Sequence, residues 1–434
     1  MKISGWGKNI SRNCKVVKPK TLQDIKKNIS SKCIARGLGR SYGDCSLQPS
    51  KTIVMTDYSK ILNFDEKNGV IEIQSGVKLI DLLKFIIPKG WFVPVSPGTK
   101  FVTVGGMIAS NVHGKNHHKV GGIINHLKEI KVLDVNKKVI NCSIKKKKNF
   151  FLSTCGGMGL TGIILEAKIK LKKINTSYIY EKTYCTRNLK DTINQIAKSN
   201  KYEYSIAWID CTAKNNFGRG VIFCGEHLDQ KYLNGKLKDP FFVEKKKLKI
   251  SFSLPKFIFN SFFIKIFNTI YYYSNLFKKN KNIVDYDKFF YPLDNLLNWN
   301  NLYGKKGFLQ YQCVLPKKID LINILNILKK SNFKSFLVTL KNLKKDPGFL
   351  SFPIKGYTLA FDIPVSANTS TLINQLNQYL LESKGKIYLT KDSTMSKLFF
   401  QKIYGNNLKK FKKLIRTKKN KDTFVSLQSE RLGI

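Results

Sequence analysis

Acidic side chains are scarce in this sequence of 434 residues: 28 aspartate and glutamate residues stand against 77 lysine and arginine residues, a formal net charge of +49. Such an excess attracts anionic partners. The basic residues are spread along the whole chain, and it has no helix-turn-helix, zinc-finger or RNA-binding signature, so we expect no nucleic-acid partner. The charge favours an anionic lipid surface or a lipid phosphate instead. A lysine-rich composition without functional meaning is the alternative.

The sequence also lacks any C-x-x-C pair and any cysteine–histidine spacing typical of metal ligands. Its nine cysteines are scattered and odd in number, which excludes a disulfide framework and a structural zinc site and favours a reducing compartment. The first residues contain no apolar segment typical of a signal peptide. We therefore expect a protein that is cytoplasmic or peripheral to the inner face of a membrane.

No apolar run reaches the roughly 18 uninterrupted residues of a membrane-spanning helix. The most apolar stretch, residues 249–277, is interrupted by Pro255, Lys256 and Lys265. Its polar residues recur on one side, and lysines flank both ends. It therefore fits either a helix lying on a membrane surface or a helix of the protein core.

Glycine, by contrast, is concentrated in three segments, 37–43, 98–106 and 156–162. Glycine tolerates positive φ and lets backbone N–H groups approach a ligand, and successive N–H groups form concavities that suit a pyrophosphate. The first segment does not open a βαβ unit, which excludes a standard NAD-binding fold, and no Walker A sequence is present. Three loops around one extended ligand fit a large dinucleotide such as FAD, whereas tight turns without a ligand are the alternative.

The length predicts two domains. Period-two alternation predicts strands near residues 52–56 and 69–76, and helical spacing predicts a helix over residues 78–87 that ends at Pro88. Near residue 175 the glycine-dense pattern gives way to long stretches rich in tyrosine, phenylalanine and lysine. We place a domain boundary there.

Several motifs resemble a known family. R-G-L-G-R-S-Y-G-D (36–44), P-V-S-P-G-T-K-F-V-T-V-G-G-M-I-A-S-N-V-H-G-K-N-H-H (94–118) and G-G-M-G-L-T-G-I-I (156–164) are similar to the FAD-binding half of the decaprenylphosphoryl-β-D-ribose 2′-oxidase family. That family belongs to the vanillyl-alcohol-oxidase/p-cresol-methylhydroxylase flavoproteins. The likeness continues in order through G-F-L-Q-Y-Q-C-V-L-P (307–316), F-D-I-P (361–364) and Y-L-T-K-D-S (388–393) to E-R-L-G-I at the end.

The resemblance implies an α+β fold with a two-part FAD-binding domain, residues 1–175 and 390–434, and an inserted substrate domain with an antiparallel sheet, residues 176–389. The FAD would be held by residues of the three glycine segments and by a tyrosine near the isoalloxazine. These are Arg36, Gly37, Leu38, Gly39, Arg40, Ser41, Tyr42, Gly43, Asp44, Cys45, Gly98, Thr103, Val104, Gly105, Gly106, Ser110, Asn111, Val112, His113, Ile163 and Tyr388.

The reaction that the resemblance implies is oxidation of the 2′-hydroxyl of a polyprenyl-phospho-ribose to the 2′-keto sugar, the first half of an epimerisation to arabinose for cell-wall arabinan precursors. A separate short-chain ketoreductase would complete it. By similarity, the catalytic residues would be Lys391, His113 and Lys115, and substrate-pocket residues would include Trp208, Gln312 and Lys341. No metal is expected.

Two departures from the family concern the cofactor and the pocket. Several relatives carry flavin on a histidine of the first glycine loop, but residues 39–43 contain none, so we expect dissociable FAD. Ala360 stands where the best-known members have a cysteine, so covalent inhibitors aimed at that thiol should not react. This change leaves the exact sugar and lipid open.

Three alternatives remain. An aldonolactone or alditol oxidase typically has a C-terminal H-W-G-K-type signature, whereas the last histidine here is His227. A non-catalytic, basic, membrane-associated scaffold would have no need of intact glycine loops. Metal binding by His113, His117 and His118 lacks a partnered carboxylate or thiolate set. The electron acceptor and the oligomeric state are left open by the sequence.

Overall fold

An eight-stranded antiparallel sheet is the largest element of the computed structural model, which describes residues 1–213, 215–233, 239–241, 248–249, 261–304, 306–415 and 422–434. Its strands follow one another in the order Lys281–Asp285, Tyr178–Thr186, Gly220–His227, Tyr204–Ile209, Val338–Leu343, Gly356–Pro364, Phe308–Leu315 and Lys386–Ile387. All of them lie between residues 178 and 387, within the range predicted for the substrate domain.

Three helices cover one face of this sheet: Leu189–Lys198, Lys318–Lys330 and Thr369–Glu382. Asn188 caps the first, because its side-chain oxygen accepts a hydrogen bond from the backbone N–H of Asp191 at 2.9 Å. The apolar residues of the helices recur at helical spacing and form one cluster with every second residue of the strands. On the opposite face, helix Ser261–Leu276 packs against Trp208 and Val221 through Tyr272, and the remainder of that face borders the candidate site.

The N-terminal half contains a second antiparallel sheet and a smaller parallel one. The antiparallel sheet has the order Val139–Cys142, Leu127–Leu133, Ile163–Lys170, Val70–Gln74 and Ile61–Asp65. In the parallel sheet, Lys51–Val54 lies between Val16–Val17 and Cys33–Arg36. Three two-stranded pairs complete the strands: Lys2–Ser4 with Ser11–Asn13, Trp91–Phe92 with Lys172–Lys173, and Leu248–Lys249 with Leu296–Leu297.

The other helices of the described chain connect these sheets. They are Leu22–Asn28, Leu79–Ile86, Val104–Ala109, His117–Val120, Lys148–Thr154, Ser261–Leu276, Tyr286–Phe290, Lys397–Ile415 and Leu427–Leu432. The last segment returns to the N-terminal half: Val425 N–H donates to the Cys33 carbonyl at 3.0 Å, and Leu427 N–H donates to the Leu47 carbonyl at 2.9 Å. These contacts support the proposal that the FAD-binding domain is made of two parts.

The predicted α+β class with antiparallel sheets is confirmed, and so are the local strand predictions at 69–76 and near 52. The helix predicted over 78–87 spans Leu79–Ile86, and a single 3-10 turn, Ile87–Lys89, carries the chain past Pro88. Proline has no N–H to continue the α-helical ladder, so the helix ends just before it. The nine cysteines carry free thiols, and eight of them are buried.

The apolar stretch 249–277 forms helix Ser261–Leu276, whereas Pro255 and Lys256 lie outside the described residues. The helix buries Ile264, Asn268 and Tyr272 and turns large apolar side chains outward; Ile270, for example, is 64% exposed. It is therefore a surface helix rather than a core helix. Within the described ranges, no helix is both long enough and apolar enough to cross a membrane.

Candidate active site

A cavity of about 980 Å³ lies between the glycine-rich loops and the face of the eight-stranded sheet that is turned away from helices Leu189–Lys198, Lys318–Lys330 and Thr369–Glu382. This volume is at the upper end of the range usual for small-molecule sites. Residues from all three glycine segments line one side, and strands of the sheet line the other. The two halves of the chain thus contribute opposite walls of one site.

The strand wall follows from the period-two alternation of side chains. In Phe308–Leu315, Gln310 and Gln312 line the cavity, whereas their neighbours Leu309, Tyr311 and Cys313 belong to the core cluster. The same alternation brings four further side chains to the cavity from the adjoining strands: Trp208, Thr339, Lys341 and Ala360. Ala360 lies directly across from Gln312, so the residue that departs from the family pattern faces the cavity.

The first glycine loop can lie close to the second because its glycines have no side chains. A β-carbon on Gly37 would lie 2.2 Å from Thr103 Oγ1, and Gly39 has φ +67°. Either position would be strained with a larger residue. The Arg36 side chain turns inward and donates to the Ser4 carbonyl at 2.7 Å. The Arg40 guanidinium lies 3.9 Å from the centre of the Trp6 ring and donates to the Phe101 carbonyl.

Three buried polar atoms on the cavity wall have no hydrogen-bond partner within the described protein: Ser75 Oγ, His113 Nδ1 and Thr390 Oγ1. Buried polar groups are normally satisfied, so a ligand with its own donors and acceptors is expected here. The glycines on the opposite side leave backbone exposed to the cavity, and a β-carbon on Gly98 would meet nothing within 4 Å. These features fit an extended cofactor such as FAD.

His113 lies at the junction of the two walls. Its Nε2 is 2.8 Å from Gln312 Nε2, and Gln312 in turn donates to Thr358 Oγ1 at 3.2 Å. The Tyr388 ring lies on another side of the imidazole, with the ring centres 4.9 Å apart. Burial lowers the pKa of His113 well below its usual value, and the charge of Lys341 adds to this effect. His113 is therefore a neutral imidazole that contacts the cavity.

His117 and His118 have structural contacts instead. His117 Nε2 is 3.0 Å from the buried carboxylate of Asp346, and its Nδ1 accepts from the backbone N–H of Lys344. Asp346 also accepts from Gly122 N–H and from the side chain of Asn111. His118 Nε2 contacts the Tyr202 carbonyl. Among the described residues, no group of three histidine, cysteine, aspartate or glutamate side chains could hold a metal ion.

Lys391 lies against Tyr42 on the cavity wall: its Nζ is 3.7 Å from the centre of the tyrosine ring. Burial lowers the pKa of Lys391 to about 7, the charge of Asp362 opposes this shift, and Lys341 adds to it. Asp362 is itself buried and accepts hydrogen bonds from Gln310 Nε2 at 2.7 Å and Tyr303 Oη at 3.1 Å. Burial raises the pKa of Asp362 to about 6. A lysine whose pKa is near neutrality can hold or release a proton under physiological conditions.

Lys115 occupies a second part of the cavity, beside helix Tyr286–Phe290. Its Nζ donates to the Phe289 carbonyl and lies 4.4 Å from the centre of the Phe289 ring. Burial lowers the pKa of Lys115 to about 7, and the charge of Glu181 opposes that shift. The cavity therefore contains several weakly solvated ammonium groups, which is the electrostatic character expected of an anion-binding site.

Most of the residues implied by the resemblance line this cavity. They are Arg36, Gly37, Leu38, Gly39, Arg40, Ser41, Tyr42, Cys45, Gly98, Thr103, Gly105, Gly106, Ser110, Val112, His113, Lys115, Trp208, Gln312, Lys341, Tyr388 and Lys391. Bringing both ends of the chain to one surface is a result of the tertiary fold.

Five of the implied residues do not line it, for identifiable reasons. Gly43 packs on the Asp392 carbonyl, and Asp44 forms an ion pair with Arg431. The side chains of Val104 and Ile163 belong to hydrophobic clusters, and Gly162 and Ile164 line the cavity beside Ile163. Asn111 uses its amide to bind Asp346 and the Ile124 N–H.

Four functional candidates were not singled out from the sequence: Glu181, Gln310, Tyr303 and Asp362. Asp362 and Gln310 stand in the motifs F-D-I-P and G-F-L-Q-Y-Q, where strand alternation could have assigned them to the same face as Gln312. Glu181 and Tyr303 have no local signal, since only the folded chain brings them to Lys115 and Asp362.

A family model, an FAD binding domain, matches residues 15–143. Together with the glycine loops and the α+β fold, this match defines an FAD-dependent oxidoreductase. The decaprenylphosphoryl-β-D-ribose oxidase of Mycolicibacterium smegmatis is 32% identical over 422 residues, which cover 93% of this chain and 91% of that protein. The chain belongs to the decaprenylphosphoryl-β-D-ribose oxidase family.

Other relatives are similar over shorter stretches. The putative D-arabinono-1,4-lactone oxidase of Neurospora crassa is 25% identical over 162 residues, 36% of this chain and 29% of that protein. The D-lactate dehydrogenase of Anaerostipes hadrus is 31% identical over 134 residues, 30% of this chain and 28% of that protein. The lactone oxidase alternative is therefore supported less well than the ribose oxidase.

Proposed function

We propose that this protein oxidises the 2′-hydroxyl of a polyprenyl-phospho-ribose to the 2′-keto sugar. The observation that carries the proposal is the cavity in which glycine loops face a strand wall with Lys341 and Gln312, and in which Lys391 lines the turn that follows strand Lys386–Ile387. FAD, when bound, supplies the hydride acceptor. The ammonium groups balance a phosphate on the sugar, and the apolar residues at the cavity edge suit a lipid tail.

The protein side chains hold the sugar and take up the proton of its hydroxyl group. Lys391 is the proposed proton acceptor, because its lowered pKa of about 7 makes the neutral amine available. His113 is buried and neutral, and with Gln312 it offers hydrogen bonds that can orient the ribose hydroxyls. Lys115 is the third residue that we assign to catalysis, as a cation near the reacting sugar.

An anaerobic flavin-reduction assay tests this function. The purified holoprotein is mixed with farnesyl-phospho-ribose, and the 450 nm absorbance of the bound FAD is followed. We expect rapid loss of the absorbance with farnesyl-phospho-ribose and none with arabinono-1,4-lactone. Loss of absorbance with the lactone alone would overturn the proposal in favour of a lactone oxidase. Protein that neither contains nor takes up FAD would favour a non-catalytic scaffold.

The product is a ketone and needs a separate reducing enzyme to become arabinose, so we propose a short-chain ketoreductase as the downstream partner. A coupled assay checks this: adding such a reductase and its reduced nicotinamide cofactor should consume the keto sugar and yield the arabinose epimer. Accumulation of the keto sugar despite an active reductase would contradict the assignment.

We further propose that the protein associates with an anionic membrane surface through helix Ser261–Leu276. Ile270, Tyr273 and Phe277 are 64%, 44% and 81% exposed, and Lys278 and Lys279 follow at the end of the helix. An exposed apolar face next to lysines is typical of helices that lie in a membrane interface. The opposite side of the helix lines the cavity, so lipid substrate could enter where the protein meets the bilayer.

Co-sedimentation with vesicles tests the membrane proposal. Binding to vesicles containing phosphatidylglycerol should fall when Ile270 and Phe277 are both replaced by serine. The matched control is Ile319→Ser, because Ile319 is also 54% exposed but lies on helix Lys318–Lys330, away from the cavity. Equal loss of binding in both variants would contradict the proposal.

A further inference from the structure

Lys341 lies at the centre of the strand wall. It belongs to strand Val338–Leu343, whose residues Val338 and Leu340 point into the core cluster, so Lys341 and Thr339 face the cavity. Directly across the strand pair is Thr358, which accepts a hydrogen bond from Gln312. Gln312 in turn contacts His113. Lys341 therefore lies on the strand next to Thr358, and the contacts from Thr358 through Gln312 to His113 lead to the cofactor loops.

Among the lysines that line this part of the cavity, Lys341 differs in having no anionic partner. Lys115 has the charge of Glu181 nearby, and Lys391 has that of Asp362. The described part of the chain gives the Lys341 ammonium neither a carboxylate nor a hydrogen-bond acceptor, and burial alone accounts for the lowering of its pKa to about 8. A weakly solvated cation without a partner is costly unless a ligand neutralises it.

The charge of Lys341 also acts on all three residues to which we assign catalysis. It lowers the pKa values of His113, Lys115 and Lys391 together. An anion bound at Lys341 would therefore offset its effect on all three pKa values at once. Among the described lysines of the cavity, no other one lowers the pKa values of all three of these residues.

We propose that Lys341 binds the phosphodiester of the substrate and thereby fixes the ribose at the reacting position. This inference rests on the proposed function. In a polyprenyl-phospho-ribose the phosphate is on C1′ and the reacting hydroxyl is on C2′, so the phosphate site must lie beside the proton acceptor. The diester carries one negative charge, which matches one unpaired ammonium group.

The cavity wall beyond Lys341 offers an apolar path for the lipid of such a substrate. From Lys341 the cavity wall continues through Thr339 and Trp208 to Tyr271 on the surface helix, and the rings of Trp208 and Tyr271 have centres 4.8 Å apart. Trp208 Nε1 donates to the Phe336 carbonyl at 2.9 Å, which fixes the indole along this wall. A phosphate at Lys341 would thus have the sugar on one side and an apolar path for the lipid on the other.

Calorimetric titration of the FAD-loaded protein tests the inference with two probes, farnesyl-phospho-ribose and the neutral farnesyl riboside. Lys341→Met should weaken binding of the phosphorylated probe about ten- to a hundredfold, because one charge-assisted interaction is lost, and should leave binding of the neutral probe unchanged. Lys341→Arg should restore much of the affinity. The control is Lys344→Met, since the Lys344 ammonium binds the Lys119 carbonyl at the exposed surface.

Three results would overturn the inference. Unchanged affinity for the phosphorylated probe in Lys341→Met would show that the phosphate is held elsewhere. Equal weakening for both probes would indicate a role in shaping the pocket, and loss of FAD from the variant would assign Lys341 to the cofactor. Flavin reduction of the unaltered protein by farnesyl-phospho-ribose is measured alongside, because its absence would refute the proposed function itself.

Discussion

Replacing Asp362 with asparagine should shift the pH dependence of catalysis in a defined direction. Asp362 opposes the lowering of the pKa of Lys391, so removing its charge makes the Lys391 ammonium easier to deprotonate. If neutral Lys391 accepts the hydroxyl proton, the rate rises as pH passes upward through this pKa. The acid limb of the profile, at about pH 7 in the unaltered protein, should therefore move to lower pH in Asp362→Asn.

The size of the shift follows from the geometry of the site. A nearby opposite charge typically changes a pKa by about one to three units, and one unit corresponds to about 1.4 kcal/mol. Because the pKa of Asp362 is itself about 6, most of its charge is present at pH 7, and the two proteins are compared there. With a pKa of about 7, roughly half of Lys391 is neutral at pH 7, and a fall of about one unit makes roughly nine tenths of it neutral. Flavin reduction at pH 7 should then be about twofold faster in the variant, and the two proteins should converge above about pH 8.

Anaerobic stopped-flow measurement of flavin absorbance with saturating farnesyl-phospho-ribose, from pH 5.5 to 9, provides the assay. Asparagine has the size of aspartate and can still bind Gln310 and Tyr303, so thermal melting and FAD content serve as folding controls. Tyr303→Phe is the matched variant, because it removes one hydrogen bond and keeps the charge of Asp362. Lys391→Arg should abolish the acid limb, since arginine stays protonated. A profile of Asp362→Asn that coincides with that of the unaltered protein, or moves to higher pH, would refute the reasoning.

Three further predictions concern the C-terminal return, the cofactor and the pocket. Arg431→Ala should lower the free energy of unfolding by about 3–5 kcal/mol in urea titrations, because it leaves the buried carboxylates of Asp44 and Asp392 unpaired; a loss under 1 kcal/mol would contradict this. Heat or acid denaturation should release FAD into the supernatant, and colour retained by the precipitate would indicate a covalent bond. Ala360→Cys should add one iodoacetamide-reactive thiol to the folded protein, detected by mass spectrometry, because residue 360 lines the cavity; no additional labelling would show that the position is inaccessible.

The positions of the secondary structure elements and the cofactor loops could be predicted from the sequence, because both are local properties. Strand alternation, the proline that follows helix Leu79–Ile86 and the spacing of glycines act over a few residues. The candidates His113 and Lys115 came instead from the resemblance of the long motif 94–118 to the family. The spacing of the histidines in this motif also left open a metal site, because spacing alone does not show which side chains each histidine contacts.

Only the tertiary structure decided which of these residues reach the cavity and what they contact. The sequence motif contains three histidines within six positions, but Asp346, more than two hundred residues later, binds His117 and leaves His113 at the cavity. The effect of the Asp362 charge on Lys391 also depends on segments distant in sequence, as does the lack of an anionic partner for Lys341 within the described residues. Burial and charge set these pKa values, and both arise from contacts between segments distant in sequence. Local patterns therefore indicated that this chain holds a dinucleotide, whereas packing of its two halves determined which side chains line the cavity.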